Sequence, residues 1–171
     1  MEDFLLVRDL KIEKFNEKIL VKGKNASMVE FPRYIHLSPD IFWLVGFLDG
    51  EGSKSKGKSG YLRFTITNSD PELIKMALNV LDKHNLLSKN KIPDKGIKIG
   101  RSSQHDDKKL LNFWMIYLNL SKSKFYFSPK PDKLKKAKNG VCHIYIINMI
   151  LRRVIDRLIE HLKDSYIKVP N

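Results

Sequence analysis

The chain contains few of the residues that form cross-links, membrane spans or repetitive structures. Its 171 residues include one cysteine, Cys142, together with 9 Gly and 7 Pro. A single cysteine excludes an internal disulfide and a multi-cysteine zinc cluster. An apolar content of 42% with so little Gly and Pro excludes collagen-like and low-complexity chains. The sequence therefore predicts a folded chain with one domain, or one domain and an appendage.

Long hydrophobic runs are also lacking. The apolar stretches are far shorter than the roughly 18–20 residues that span a membrane. The first residues, MEDFLLVRDLKIEKF, have neither the basic start nor the continuous apolar run of a secretory signal. We therefore expect a cytoplasmic protein.

Acidic residues are scarce relative to basic ones. The chain has 32 Lys and Arg against 19 Asp and Glu, a net charge of +13. Such an excess on a small domain favours a polyanionic partner. Nucleic acid is the first candidate, and a membrane surface is the second.

The first part of the chain predicts an arm followed by a helix. Residues 1–37 mix charged and apolar residues without a long period, which indicates an amino-terminal arm ahead of a domain at 38–163 and a tail at 164–171. Ser38 and Pro39 suit an N-cap and first helical position. The helix that follows is apolar nearly all round, so we expect it to be buried. It ends at the glycines of Asp49-Gly50-Glu51-Gly52.

A hairpin is predicted next, from runs 53–58 and 61–68 separated by Ser59-Gly60. Strand side chains alternate between faces. One face of the hairpin is therefore cationic and rich in hydroxyl groups, formed by Lys54, Lys56, Lys58, Tyr61, Arg63, Thr65 and Thr67.

The remaining pattern predicts further helices and strands. Asp70 and Pro71 begin a helix, 87–103 is strand-like around a turn at 93–96, and 106–120 is helical with Trp114 in the core. Apolar and polar residues alternate in 124–130, which predicts a strand, and the lysine-rich stretch 122–138 suits a mobile basic loop. A second strand from Gly140 is expected to form a hairpin with 124–130, and a helix at 147–162 is expected to follow. The fold class expected is α+β, with helices on one face of an antiparallel sheet and a basic second face.

One segment carries a family resemblance. Residues 44–52, LVGFLDGEG, resemble the LAGLIDADG motif of homing endonucleases at the initial Leu, the third-position Gly, the apolar pair, the Asp and the closing acid-Gly. Stretches 67–74 and 140–144 are similar to small single-motif archaeal and bacterial members, so the resemblance covers residues 30–163. It implies a saddle-shaped antiparallel sheet that lies on DNA.

The resemblance also implies partners. In the family, two motif helices pack through their small residues, which assigns Leu44, Gly46 and Phe47 to a dimer interface. Since this chain has one motif, the resemblance implies a homodimer that binds double-stranded DNA at a pseudo-palindromic site.

Site residues follow from the same resemblance. Glu51 is expected to bind Mg²⁺ and Asp49 to support it, Asn68 to orient the attacking water, and Lys122 or Lys124 to supply a basic group. The sheet is expected to enter the major groove. The implied DNA contacts are Lys54, Lys56, Lys58, Arg63, Thr65, Thr67, Lys98, Lys124, Lys130, His143 and Tyr145.

Two classes of function remain open at this point. The first is a homodimeric, Mg²⁺-dependent, site-specific DNA endonuclease, for which Glu51 is the essential residue. The second is a binding protein of the same fold that regulates transcription, or that helps an intron RNA to fold, without cutting. An RNA-binding or membrane-surface protein that uses the same charge is a third interpretation, which leaves the motif unexplained.

Overall fold

The fold is α+β. The computed structural model describes residues 4–6, 13–15, 18–22, 28–32, 34–36, 38–56, 62–101, 106–131, 139–146, 151 and 154–160. Five short strands come first: β1 (Phe4–Leu6), β2 (Glu13–Phe15), β3 (Lys18–Lys22), β4 (Met28–Pro32) and β5 (Tyr34–His36). β1 pairs with β5, and β2, β3 and β4 form a three-stranded antiparallel sheet. The predicted arm thus contains two small sheets, and Ile35 of β5 is part of the main core.

The central element is a five-stranded sheet. Its strands are β6 (Gly52–Lys56), β7 (Leu62–Asn68), β8 (Ile97–Arg101), β9 (Phe125–Pro131) and β10 (Val141–Ile146), in the order β6-β7-β10-β8-β9. The predicted hairpin is confirmed as β6 and β7, with Lys54 opposite Phe64. β10 lies between β7 and β8 and is antiparallel to both.

The expected second hairpin, between 124–130 and the strand from Gly140, is wrong. β9 pairs in parallel with β8 at the sheet edge, so the sheet is mixed and not wholly antiparallel. A parallel neighbour requires a long crossover, and α3 (Asp107–Leu118) provides it between β8 and β9. Much of the predicted basic loop is likewise ordered, because 122–131 forms a 3₁₀ turn and β9.

Local sequence explains the ends of the helices. α1 spans Pro39–Glu51 and α2 spans Pro71–Lys83. As predicted, Asp70 caps α2, where its side chain accepts a hydrogen bond from the Glu72 amide with Pro at the first position. Asp106 caps α3 in the same way, and Asn119 ends it in the left-handed conformation at φ 52°. Residues 154–160 form a further helix, α4.

The core lies between the helices and one face of the five-stranded sheet. Ile66, Ile97, Ile99 and Ile144 from the sheet belong to the same buried cluster as apolar residues of α1, α2, α3 and α4. Trp114 is fully buried, as predicted, and its indole N–H donates to the Asn139 carbonyl at 2.7 Å. The helices therefore cover one side of the sheet and leave the other side as a separate surface.

The helix α1 is less buried than its sequence suggested. Ile41, Leu44, Val45 and Leu48 are buried, but Phe42 is 40% exposed. The expectation of burial all round is wrong because only one side of α1 packs on the core. Within the described ranges, no helix is long and apolar enough to cross a membrane.

Candidate nucleic-acid interface

The five-stranded sheet has an unusual composition. Its strands contain no Asp or Glu, although the whole chain has 19 such residues. They contain six basic residues, which are Lys54, Lys56, Arg63, Lys98, Arg101 and Lys130. The uneven distribution of charge makes this sheet an element suited to a polyanion.

The register of the sheet brings several predicted contacts onto one face. Thr67 lies opposite His143, His143 lies opposite Lys98, and Lys98 lies beside Tyr126, so four strands contribute to one row. The residues that alternate with them, such as Ile66, Ile97 and Ile144, are buried under the helices. We call the side away from the helices the polar face, formed by Thr65, Thr67, Lys98, Tyr126, His143 and Tyr145.

Specific contacts order this face. The Thr67 hydroxyl and His143 Nδ1 are 3.1 Å apart and hydrogen-bonded. The rings of Tyr126 and Tyr145 stack with centroids 6.5 Å apart and planes inclined by 25°. Thr65 is only 6% exposed, which contradicts its assignment as a DNA contact, because it is enclosed in the middle of β7 opposite Tyr145. The remaining members of the polar face are half-buried and reach the surface.

The acidic end of α1 adjoins the sheet. Asp49 and Glu51 are exposed in the last turn, and Gly52, which follows Glu51, pairs with Ile66 next to Thr67. The end of α1 thus meets the sheet one residue from the row of Thr67 and His143. A helix carboxyl terminus carries partial negative charge and raises the attraction for a cation.

This donor set suits Mg²⁺. Carboxylate oxygens are ligands that Mg²⁺ prefers, and it is usually held by one or two carboxylates together with phosphate oxygens and water. Among the described residues, no group of three or more His, Cys, Asp or Glu converges on a point. One copy of the chain would therefore supply Glu51 and Asp49 and leave other positions to the substrate, to water or to a second copy.

The sheet also places two other predicted catalytic residues. Asn68 is on the helix side of β7, and its side-chain oxygen accepts the Asp70 amide N–H at 2.8 Å. Lys122 is in the turn before β9, at the opposite sheet edge from β6. Four strand spacings of about 4.8 Å place these edges about 19 Å apart, so the Lys122 of one chain is not brought together with its Glu51.

Lys124 has an acidic neighbour. Its ammonium group lies 3.2 Å from Asp94. Hydrogen bonds from Ser123 and Lys124 lower the pKa of Asp94. Lys124 therefore stabilises the turn at Pro93, and a phosphate would have to compete with Asp94 for it.

The other basic positions are placed by their backbones. Lys54, Lys56 and Arg63 lie in β6 and β7, and Lys130 lies in β9. Lys58 falls outside the described residues. These four positions lie within the sheet. Lys54 is opposite Phe64 and Lys56 is opposite Leu62, in register with the side of Ile66. The expectation that these two lysines share a face with Arg63, Thr65 and Thr67 is therefore wrong, because the hairpin register pairs them with the apolar positions of β7.

The outward side of α1 is apolar and contains two glycines. Gly46 and Gly50 are exposed, and a Cβ added to either would have no atom within 4 Å. Phe47 is half-buried there, and its ring stacks on Trp43 at 5.2 Å. Leu44 is 1% exposed, so its assignment to a dimer interface is wrong, because it packs in the chain's own core. Gly46 and Phe47 do lie on the outward side.

Tyr126 was not predicted as a site residue. Its alternation with Phe125 and Phe127 was visible in the sequence, but the parallel pairing that brings it beside Lys98 was not. Comparison of the chain with protein-family models, with curated proteins and with solved structures found no match. The case for a function therefore rests on the geometry of the site itself.

Proposed function

We propose that this protein is a sequence-specific DNA-binding protein that contacts double-stranded DNA through the five-stranded sheet and hydrolyses a phosphodiester bond as a homodimer. The observation that carries the proposal is the sheet with six basic and no acidic residues, which ends beside Glu51. A two-stranded ribbon fits the major groove, where each base pair presents a distinct pattern of donors and acceptors. The sheet order and the helices on one side support the LAGLIDADG-like fold that residues 44–52 resemble.

The proposed homodimer forms through the outward side of α1. Gly46 and Gly50 leave room for a second backbone, and Phe42 and Phe47 offer apolar surface beside them. A two-fold axis along this contact would bring two copies of Glu51 towards each other and match a pseudo-palindromic site.

The chemistry follows from the residues at the end of α1. Glu51 would bind Mg²⁺, with Asp49 two residues before it in the same turn of α1, and the metal would supply activation of water and stabilisation of the leaving oxygen. Lys98 and the Thr67–His143 pair lie in the row next to Glu51, where they can hold the DNA backbone. Asn68 would orient water through its side-chain oxygen only if that oxygen gives up the hydrogen bond from the Asp70 amide.

A selection experiment tests both steps. Duplexes bound from a random pool are sequenced and then incubated with Mg²⁺ and the unmodified chain, Glu51→Gln or Glu160→Gln. Glu160 is an exposed acid of α4 and serves as the matched control. We expect a pseudo-palindromic site that is cut by the unmodified chain and the control but not by Glu51→Gln. Failure to enrich any duplex would contradict the proposal.

A second candidate function is a regulator of the same fold that binds without cutting, or a protein that assists the folding of an intron RNA. It is favoured by the separation of Lys122 from Glu51 across the sheet. Equal binding of the selected site by the unmodified chain and Glu51→Gln, without cleavage by either, would indicate the regulator. Enrichment from an RNA pool instead of the duplex pool would indicate the RNA function.

The dimer has its own test. Gly46→Leu places a large side chain where the chain itself leaves open space, so the monomer should still fold. Asn112→Leu makes a similar change on the exposed side of α3. Sedimentation should show that Gly46→Leu dissociates and Asn112→Leu does not. If the Gly46→Leu chain remains dimeric, α1 does not form the dimer interface.

A further inference from the structure

The polar face has two chemically different halves. β7 contributes the hydroxyl groups of Thr65 and Thr67, whereas β8, β9 and β10 contribute Lys98, His143 and the stacked pair Tyr126 and Tyr145. A tyrosine hydroxyl can contact a phosphate, but Ser and Thr hydroxyls do the same, and such a contact makes no use of the ring. The aromatic half therefore requires an explanation of its own.

Stacking is the contact that a tyrosine ring offers to a nucleic acid. In a duplex, the faces of the bases are covered by their neighbours, so the grooves display only base edges. In a single strand, base faces are accessible, and aromatic side chains on a sheet stack against them. The half-buried rings of Tyr126 and Tyr145 thus match unpaired bases better than paired ones.

The surroundings of the two rings fit the rest of a nucleotide. Lys98 lies beside Tyr126 in register and can neutralise a phosphate. His143 lies opposite Lys98, and its hydrogen bond with Thr67 fixes polar atoms in the same row that can contact a base edge or a sugar. The five strands contain no carboxylate that would repel the backbone.

From this arrangement we propose that Tyr126, Tyr145 and Lys98 form a binding site for unpaired nucleotides, which shares Lys98 with the duplex surface and adds base stacking to it. The site goes beyond the proposed function and does not require DNA cleavage. Its ligand is a single strand, or a single-stranded segment next to a duplex, recognised by base stacking and phosphate charge.

The test compares stacking with charge. Fluorescence anisotropy measures the binding of labelled (dT)15, (rU)15 and a blunt 15-base-pair duplex to the unmodified chain and to Tyr126→Leu and Tyr145→Leu. Tyr126→Phe and Tyr145→Phe keep a ring, and Tyr117→Leu is the control because Tyr117 stacks on Phe113 in α3, away from the polar face. The two single strands distinguish DNA from RNA as the source of the unpaired bases.

We expect each Tyr→Leu change on the polar face to weaken single-strand binding by about 5- to 150-fold, the range found when a stacking ring is removed. The Phe variants should bind nearly as well as the unmodified chain, and Tyr117→Leu should have no effect. The salt dependence of binding should stay the same in the Leu variants, since a ring neutralises no phosphate.

Other outcomes would overturn the site. They are a loss of less than twofold in the Leu variants, an equal loss on the duplex, or a loss in the Phe variants as large as in the Leu variants. Circular dichroism of each variant separates misfolding from lost stacking, and the Phe variants report on stacking if a Leu variant unfolds. Tyrosine-dependent binding of single strands with no duplex selected would support this site while contradicting the proposed function.

Discussion

Gly140 allows the central strand β10 to enter the sheet close to β8. It has φ +66°, and a Cβ built on it would lie 2.7 Å from the Gly100 carbonyl oxygen. The left-handed conformation costs an alanine about 1–2 kcal/mol. Reduced freedom of the unfolded chain offsets about 0.4–1 kcal/mol of this. The contact with Gly100 further requires β8 and β10 to separate, which weakens at least one hydrogen bond worth about 1 kcal/mol.

Gly140→Ala should therefore destabilise the fold by about 2 kcal/mol, which lowers Tm by about 4–8 °C for a chain of this size. Asn112→Ala is the control, because Asn112 is exposed in α3 and should gain about 0.5 kcal/mol from better helix propensity. Urea denaturation at one fixed chain concentration measures both variants. A Gly140→Ala chain as stable as the unmodified one would refute the reasoning about the β8–β10 contact.

Three further predictions concern the core and the helix ends. Trp114→Phe should cost about 2–4 kcal/mol in urea unfolding, because it leaves a cavity and removes the hydrogen bond to the Asn139 carbonyl. The Lys83 ammonium group donates a hydrogen bond to the Asp40 carboxylate at 2.5 Å and is the main reason that the pKa of Asp40 is well below its ordinary value. This pair should therefore stabilise the fold at pH values above the pKa of Asp40 in the unfolded chain. That stabilisation should be lost as the pH falls towards the lower pKa of Asp40 in the folded chain. Asp40→Asn should flatten the acid limb of a stability-against-pH curve; an unchanged limb would contradict the pair. Burial raises the pKa of the Cys142 thiol, so a thiol reagent should react only at the rate of unfolding, and fast reaction of the native chain would place Cys142 elsewhere.

The elements that local sequence determines were predictable. Asp70-Pro71 predicted the start of α2 because a cap depends on residues within one turn, and the helical pattern from Asp106 predicted α3. The β6–β7 hairpin was predictable for the same reason, since its strands are neighbours in the chain. Long-range pairing could not be predicted, because no residue within 124–130 indicates which strand β9 will join. In the structure β9 pairs with β8 in parallel, and β10 lies between β7 and β8.

The candidate site was predictable in part. Alternation identified Thr67, Lys98 and His143, which the register then brought into one row. The same alternation could not show that Thr65 is enclosed or that Leu44 belongs to the core, since burial depends on the neighbours that the fold provides. Lys122 was misplaced relative to Glu51 because the width of the sheet between them depends on strand order.

The most direct test of the central claim is the salt dependence of duplex binding. Each phosphate contact contributes about 0.9 to the slope of log K against log salt concentration. Lys98→Gln, on the polar face, should reduce that slope by about one, whereas Lys109→Gln, exposed on α3, should leave it unchanged. If Lys98→Gln leaves the slope unchanged while Lys109→Gln lowers it, DNA binds the helical side and the polar face is not the interface.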